Sequence, residues 1–500
     1  MKNKPNIIVI KTDQQRSDTI AALGNSHMIT PNMDRLASES VSFTNAFCCG
    51  ATCVSSRAAF YTGLYPHNTG VYGFNNWSHI RTWLHDLKDG GYHLSAVGKV
   101  HHQPMDEYMA YDERVYAENF PEYKDYDDFS NYLKAEGQPN PNELLTADGK
   151  WLEKCCSAPY PLEEKYFVDN WVGRMASRWI DDYEGDKPFF LHVGFVGPHD
   201  PFAPPQRFID MYKDVDIPDP LVSGDDFETK PPQFKRFMEQ CINAERLKQG
   251  PVYGIYNCRL DDKEAEDIRN MRRHYYARVT AIDEQIGFIM DKLESKGLLE
   301  NSIIVFTSDH GDNLGDHRMV YKWLMTEQST KVPMLIRLPQ AQRKAVDDGL
   351  FTQMDIGPTL LEFAGLNVPC YLDGRSNLKR ITEGDSSQVP ENVYCEDNYL
   401  TMVRAADKKM VYYSCQPYGE YYDIENDPSE FYNLYHCPDH SKEITVMKLG
   451  LLDWITSSSY LGSAMSVGMG PAPKRHWPDY TPQDPYILSG APRMDRIKIK

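Results

Sequence analysis

The chain has 500 residues, a formal net charge of −19, and 41% hydrophobic, 12% aromatic and 25% charged residues. This is the composition of a globular protein with a sizeable core; it excludes a disordered or fibrous chain, and the acidic balance argues against a general nucleic-acid or anionic-membrane surface. At this length, one large domain with a smaller partner is expected.

The N-terminus runs directly into the apolar stretch Ile7 to Ile10 without the pattern of a signal peptide, and no apolar run is long enough to cross a bilayer. A soluble, cytoplasmic protein is expected. The 11 cysteines, with adjacent Cys48-Cys49 and Cys155-Cys156, fit neither a disulfide framework nor a CxxC zinc pattern, so reduced thiols are expected.

In chain order, Asn6 to Asp13 predicts a buried parallel strand ending on an acidic residue, followed by a helix near Pro31 to Ala37. Cys53-Val54-Ser55-Ser56-Arg57 then places a cysteine one helical turn before an arginine. Two readings follow: a nucleophile at a helix N-terminus, with Arg57 supplying a fork for oxyanions, or a buried structural cysteine. Residues 103–165 and 205–262 lack sustained periodicity and are predicted as long insertions over the sheet rim. Phe189 to Phe195 predicts a strand leading to His199, Ala265 to Lys296 a long helix capped by Gly297, and Ser302 to Asp309 a strand delivering Asp309-His310-Gly311. In open α/β sheets, ligands bind beyond the carboxyl ends of the strands, so these polar residues are placed for chemistry.

The pattern changes near Asp373-Gly374-Arg375 to short strands at 392–396, 399–404 and 409–413 and a helix at 441–457, a small antiparallel α+β unit. The last forty residues, rich in Pro, Gly and Met, read as an extended tail that leaves contacts with a second subunit, and so a homo-oligomer, open. The expected division is 1–375, 376–460 and 461–500, and the expected class is α/β, with a large mixed, mostly parallel sheet sandwiched by helices.

Asp13, Gln14, Asp309 and His310 together offer carboxylate, amide and imidazole ligands for one divalent cation. His67, Asn75 and His317 are further pocket candidates, each with the alternative of a packed or solvated side chain. Asn68-Thr69-Gly70 reads as a turn rather than a glycosylation site.

The Cys53 to Arg57 segment resembles the signature of the type I sulfatases. So do Pro5 to Gln14, Gly98-Lys99-Val100-His101, Pro188 through Pro198-His199, Thr307 to Gly311, Lys322 ahead of Val332 to Arg337, and Tyr422 to Glu430, in the same order. The resemblance covers most of the chain apart from 103–165 and 205–262. It implies an alkaline phosphatase-like fold, a sulfuric ester hydrolase, and conversion of Cys53 to formylglycine by a maturation enzyme. The gem-diol of that residue would be the nucleophile. It would be activated by one divalent metal held by Asp13, Gln14, position 53, Asp309 and His310, with Ca²⁺ implied by the family and Mn²⁺ or Zn²⁺ left open by His310. Lys99 and Lys322 would stabilise charge, Arg57 orient the nucleophile, His199 protonate the leaving oxygen and His101 take the proton that lets the hemiacetal expel sulfate. The substrate implied is a small organic or sugar sulfate.

Three positions depart from the family pattern, Ser55, Gln14 and His310. Ser55 stands where proline or alanine is usual. Asp-Gln with Asp-His looks more like choline sulfatases and phosphonate monoester hydrolases, whereas Lys99-x-His101 is the sulfatase form. Phosphonate or phosphodiester hydrolysis and non-catalytic binding of a sulfated ligand are the alternative readings.

Overall fold

Strand β1 (Asn6–Asp13) is eight residues of unbroken burial and forms the centre of the molecule in this computed structural model, which describes residues 4–105, 107–118, 127–147, 150–223, 228–235, 260 and 263–459. A strand apolar on both faces must be covered on both. Ile8 and Ile10 join one core with α4 (Val168–Asp182) and α5 (Ala265–Ser295), while Ile7 and Val9 join a second core with α2 (Cys53–Thr62). The other early helices are α1 (Pro31–Ser38) and α3 (Asp128–Ala135).

Among the described residues the main sheet has nine strands. On one side of β1 lie β5 (Phe189–Pro198), β3 (His93–Gly98) and β4 (Glu113–Tyr116), all parallel to their neighbours. On the other side β6 (Ser302–Ser308) is parallel to β1. Beyond it come antiparallel β8 (Met334–Arg337), then β2 (Val41–Phe47), which also pairs with β7 (Lys331–Val332) and, in parallel, with β9 (Ala345–Thr352). The register pairs Asp13 with Pro198 and Thr12 with Ser308, so the carboxyl ends of β1, β5 and β6 are level and deliver Asp13, His199 and Asp309 to one edge.

The long helix ends as the sequence predicts. Gly297 sits at φ +67°, its N–H bonds Glu294 O at 2.9 Å and Leu298 N–H reaches back to Leu293 O at 2.8 Å, the paired bonds of a Schellman stop.

A second sheet runs β10 (Val393–Asp397), β11 (Leu400–Arg404), β12 (Lys408–Tyr413), β13 (Gly419–Asp423), antiparallel throughout. Period-two alternation divides its faces: Val393, Cys395, Met402 and Val411 pack onto the main body, while Val403, Met410 and Tyr421 pack beneath α6 (Ser441–Ser459).

One expectation is corrected. Residues 103–165 are not merely a rim insertion: β4 is the edge strand of the main sheet, and Phe129, Leu133, Trp151, Cys155 and Cys156 lie in the first core. In 205–262, Phe208, Tyr212, Ile217 and Leu260 are buried in the same core. Each of these short elements contributes only a turn or so of apolar face, too little to register as periodicity. The tail at 461–500 lies outside the described residues. The cysteines among the described residues are free thiols.

Candidate active site

Helix α2 starts at Cys53 because Thr52 adopts extended backbone as its N-cap and accepts a long 3.5 Å bond from Ser55 N–H, while Gly63 in the left-handed conformation ends it. Every residue of this helix is buried. The Cys53 thiol is pushed above its ordinary value, by burial first, against the opposing pull of Lys322, whose ammonium lies 3.7 Å from Sγ. The position is presented for chemistry, but the thiol itself is not activated.

Arg57, one turn on, is fully buried. Its Nε donates to Asp309 Oδ2 at 2.8 Å, one terminal nitrogen to Asp13 Oδ2 at 3.3 Å and the other to Lys99 O at 3.3 Å. The fork expected to receive oxyanions is instead closed on two carboxylates. Ser56 Oγ donates to Asp309 O at 2.5 Å, and Gln353 bridges Ser56, Thr307 Oγ1 and the Ser308 carbonyl.

Asp13 and Asp309 are both buried. Burial pushes the Asp13 carboxyl up, but Lys99, with its ammonium 2.7 Å from Oδ2, together with His199, Lys322 and Arg57 holds it well below the usual range. For Asp309, burial and the Asp13 charge push up while His310, Arg57 and Lys322 prevail downwards. Both are carboxylates at neutral pH. His310 Nδ1 donates to Gly311 O at 2.8 Å, which fixes the tautomer and leaves the Nε2 lone pair facing Asp309 Oδ1 at 3.6 Å and Asp13 Oδ1 at 3.9 Å. Burial lowers this imidazole to about 4.

Gln14, at φ +68°, donates its backbone N–H to Asp309 Oδ1 at 2.9 Å and its amide N–H to Asp312 Oδ2 at 2.5 Å, turning its amide oxygen toward the Lys322 ammonium at 3.1 Å. These donors fit a divalent cation: Asp13 Oδ1 and His310 Nε2 are buried with no hydrogen-bond partner among the described residues, and they converge with Asp309, while the Gln14 oxygen is held by the Lys322 ammonium.

On the far side of Asp13, the loop after β3 carries Lys99 and His101. Gly98 and Gly194 make this possible. Lys99 N–H bonds Gly194 O at 2.7 Å, and a Cβ on Gly194 would lie 1.9 Å from Lys99 O. Glu118 accepts from Val100 N–H and His101 N–H at 2.8 and 2.7 Å, holding His101 at φ +62°. The His101 ring groups with Asp13 and Cys53, and burial, then the nearby Lys99 and Arg57 charges, keep it neutral.

His199 follows β5, its carbonyl held by Arg278, which also binds Asp169. Its Nδ1 donates to Asp200 O at 2.8 Å, so the neutral ring accepts at Nε2, where the Tyr321 hydroxyl donates at 2.8 Å. Burial, then Lys322, depresses its protonation.

All ten residues singled out in the sequence, Asp13, Gln14, Cys53, Arg57, Lys99, His101, His199, Asp309, His310 and Lys322, therefore meet at one edge. His67, Asn75 and His317 serve elsewhere. His67 is bonded by Glu396 and Ser458, Asn75 donates to Gly70 O at 3.3 Å, and His317 packs edge-on to Phe431. Sequence reasoning missed Asp312, Tyr321, Glu118 and Gln353. Asp312 and Tyr321 each lie within three residues of a motif position, which was the available signal; Glu118 and Gln353 carry none.

The sequence matches the sulfatase family profile over residues 5–366. The chain belongs to the sulfatase family. A second profile, the N-sulphoglucosamine sulphohydrolase C-terminal region, matches this sulfatase over residues 315–456. It is 31% identical over 468 residues to an arylsulfatase of Clostridium perfringens, covering 89% of this chain and 93% of that one. It is 28% identical to a choline-sulfatase of Rhizobium meliloti, covering 87% and 83% of the two chains. Its fold is that of the phosphonate monoester hydrolase of Silicibacter pomeroyi, with a TM-score of 0.78 at 20% identity over 92% of this chain and 97% of that one. The mostly parallel sheet with a small antiparallel sheet behind it is thus the alkaline phosphatase-like fold. No described helix is long and apolar enough to cross a membrane.

Proposed function

We propose that this sulfatase hydrolyses a small organic or sugar sulfate through an oxidised Cys53, with one divalent cation held by Asp13, Gln14, Asp309, His310 and position 53. The observation that carries the reading is the juxtaposition of Cys53 Sγ, Asp13 and His101 in one cluster with the Lys322 ammonium 3.7 Å from the sulfur. A thiol raised in pKa and buried is a poor nucleophile as it stands, which favours its replacement by an aldehyde-derived hydroxyl. The bound cation supplies Lewis-acid polarisation of sulfuryl oxygens.

The remaining steps belong to the chain. Lys99 and Lys322 flank the position of the ester oxygens and stabilise developing charge there. Arg57 acts from behind, holding both carboxylates in place rather than touching the ester. His199, once it has taken up a proton at Nε2, gives that proton to the leaving oxygen with Tyr321 holding the ring in place, and neutral His101 accepts the proton whose removal releases sulfate. Residues 1–375 carry this chemistry, with 376–460 as a supporting unit.

Peptide mass spectrometry of the Leu36 to Arg57 tryptic fragment from natively sourced protein tests the first step: replacement of the Cys53 sulfur by an aldehyde oxygen is expected, and an intact thiol in active protein overturns it. Relative kcat/KM on paired sulfate and phosphonate esters tests the reaction. A sulfate rate lower by orders of magnitude would transfer the assignment to phosphonate hydrolysis.

A further inference from the structure

Away from the Cys53 site, a cavity of about 780 Å³ is bounded by the β10–β11 turn end of the second sheet, the segment carrying His67 and Tyr72, and α6. Its wall combines two carboxylates, Glu396 and Asp397, with the aromatic side chains of Tyr72, Tyr399, Tyr412 and Trp454. None of the residues assigned to sulfate-ester chemistry lines it.

The charged groups on this wall are committed, with one exception. His67 bonds Glu396 Oε2 through Nδ1 at 2.8 Å and Ser458 Oγ through Nε2 at 2.9 Å, and the Tyr72 hydroxyl also bonds Glu396. The Lys448 ammonium sits 4.6 Å from the Tyr435 ring centroid. Asp397 is only 5% exposed, yet its Oδ1 contacts nothing but the backbone and amide N–H groups of Asn398, at 2.8 and 3.2 Å, and Oδ2 has no donor among the described residues. No cation among the described residues acts on it, and burial pushes the carboxyl up to about 7.

A nearly buried carboxylate without a counter-ion is costly, and one on the wall of an aromatic-lined space is complementary to positive charge. The ligand chemistry can be narrowed further. Two acidic side chains disfavour an anion. Leu449, Leu452 and Ile455 on the opposite wall offer no oxygen ligands, which disfavours a hard metal ion. A neutral molecule would leave the charge uncompensated. We propose that this cavity binds a small organic ammonium ion, with Asp397 as its counter-ion and the surrounding aromatic rings as its walls, at a site separate from the sulfate-ester centre.

Calorimetric titration of the full chain with tetramethylammonium chloride tests this, with tert-butanol as the neutral comparator. Saturable binding of the cation but not of the alcohol is expected, unaffected by added inorganic sulfate. Asp397→Asn, which keeps shape and removes charge, should weaken it by about tenfold or more. Leu449→Trp, at a position 57% exposed on the cavity wall, should block it without disturbing the core. Undiminished binding by Asp397→Asn, equal binding of tert-butanol, or no binding of the cation would overturn the proposal, and displacement by sulfate would overturn the separateness of the site.

Discussion

Arg57 and Asp309 are joined by a 2.8 Å bond between Nε and Oδ2 in a region that excludes water from both partners. The same guanidinium reaches Asp13, so one cation bridges two buried carboxylates at the carboxyl ends of strands β1 and β6. Removing one partner of a buried pair strands the other charge. Arg57→Ala is expected to destabilise the fold by about 3–5 kcal/mol, measured by denaturant unfolding. Arg57→Lys should recover only part of this, because an ammonium cannot span both carboxylates as the planar fork does. A neutral outcome for Arg57→Ala would show that the carboxylates are not held together by this residue.

The orphan atoms Asp13 Oδ1 and His310 Nε2 predict a dependence on divalent cations that can be read without substrate. Chelation should lower Tm, and re-addition of the native ion should restore it, since ligand bound only to the folded state stabilises by about 2.7 kcal/mol at a hundredfold excess over Kd. His310→Phe, which keeps the ring but removes the lone pair, should make Tm insensitive to chelator.

Tyr321 donates to the Nε2 atom of His199, the atom that the proposed mechanism turns to the leaving group because Nδ1 is committed to the Asp200 carbonyl. Tyr321→Phe removes the hydroxyl while keeping the ring against Trp323. The expected result is a fall in kcat of about 10–100-fold with KM changed far less, and a shifted pH profile. A loss confined to KM would mean that the hydroxyl binds substrate instead.

The parts of this site legible in the sequence were those written locally. Asp13, His199 and Asp309 each follow a run of apolar residues, and the strand-end rule alone puts them on one edge. Cys53 and Arg57 share one helix. The supporting residues act across long separations: Gln353 reaches Ser56, 297 positions away in the chain, and Glu118 closes on His101 from 17 residues on. No local pattern marks such a partner, because its role depends on two strands being brought into register. Arg57 shows the same limit differently. Its position was legible but its direction was not, since a guanidinium beside a helix start serves equally to hold a ligand or to hold the side chains that do.

Ser55 occupies the third position of α2, and its N–H makes only the long bond to Thr52 Oγ1. The first turn of a helix tolerates proline because its N–H groups lack intrahelical acceptors. Ser55→Pro is therefore expected to fold, with stability lowered by no more than about 1 kcal/mol, the scale of a lost cap. If the proline usual in the family serves the maturation step, the variant should show a larger converted fraction of Cys53 by peptide mass spectrometry. An equal fraction would show that serine is fully accepted.

Asp397 makes stability depend on pH in a direction opposite to that of a paired carboxylate. Its carboxyl titrates near 3.8 when unfolded and is raised to about 7 in the fold, chiefly by burial. The folded state therefore binds the proton more tightly, so its contribution is fully present below the unfolded value and is lost as pH rises through about 7. Each tenfold difference in proton affinity between the folded and unfolded chain is worth about 1.4 kcal/mol, so the loss amounts to at most about 4 kcal/mol. Asp397→Asn carries no proton to lose. The variant should gain on the parent progressively from about pH 4 to pH 7 and hold a constant advantage above pH 8, as followed by denaturant unfolding across that range. A difference that does not change with pH would mean that the carboxylate is already compensated in the folded protein, and Asp397 would have no need of an ammonium counter-ion.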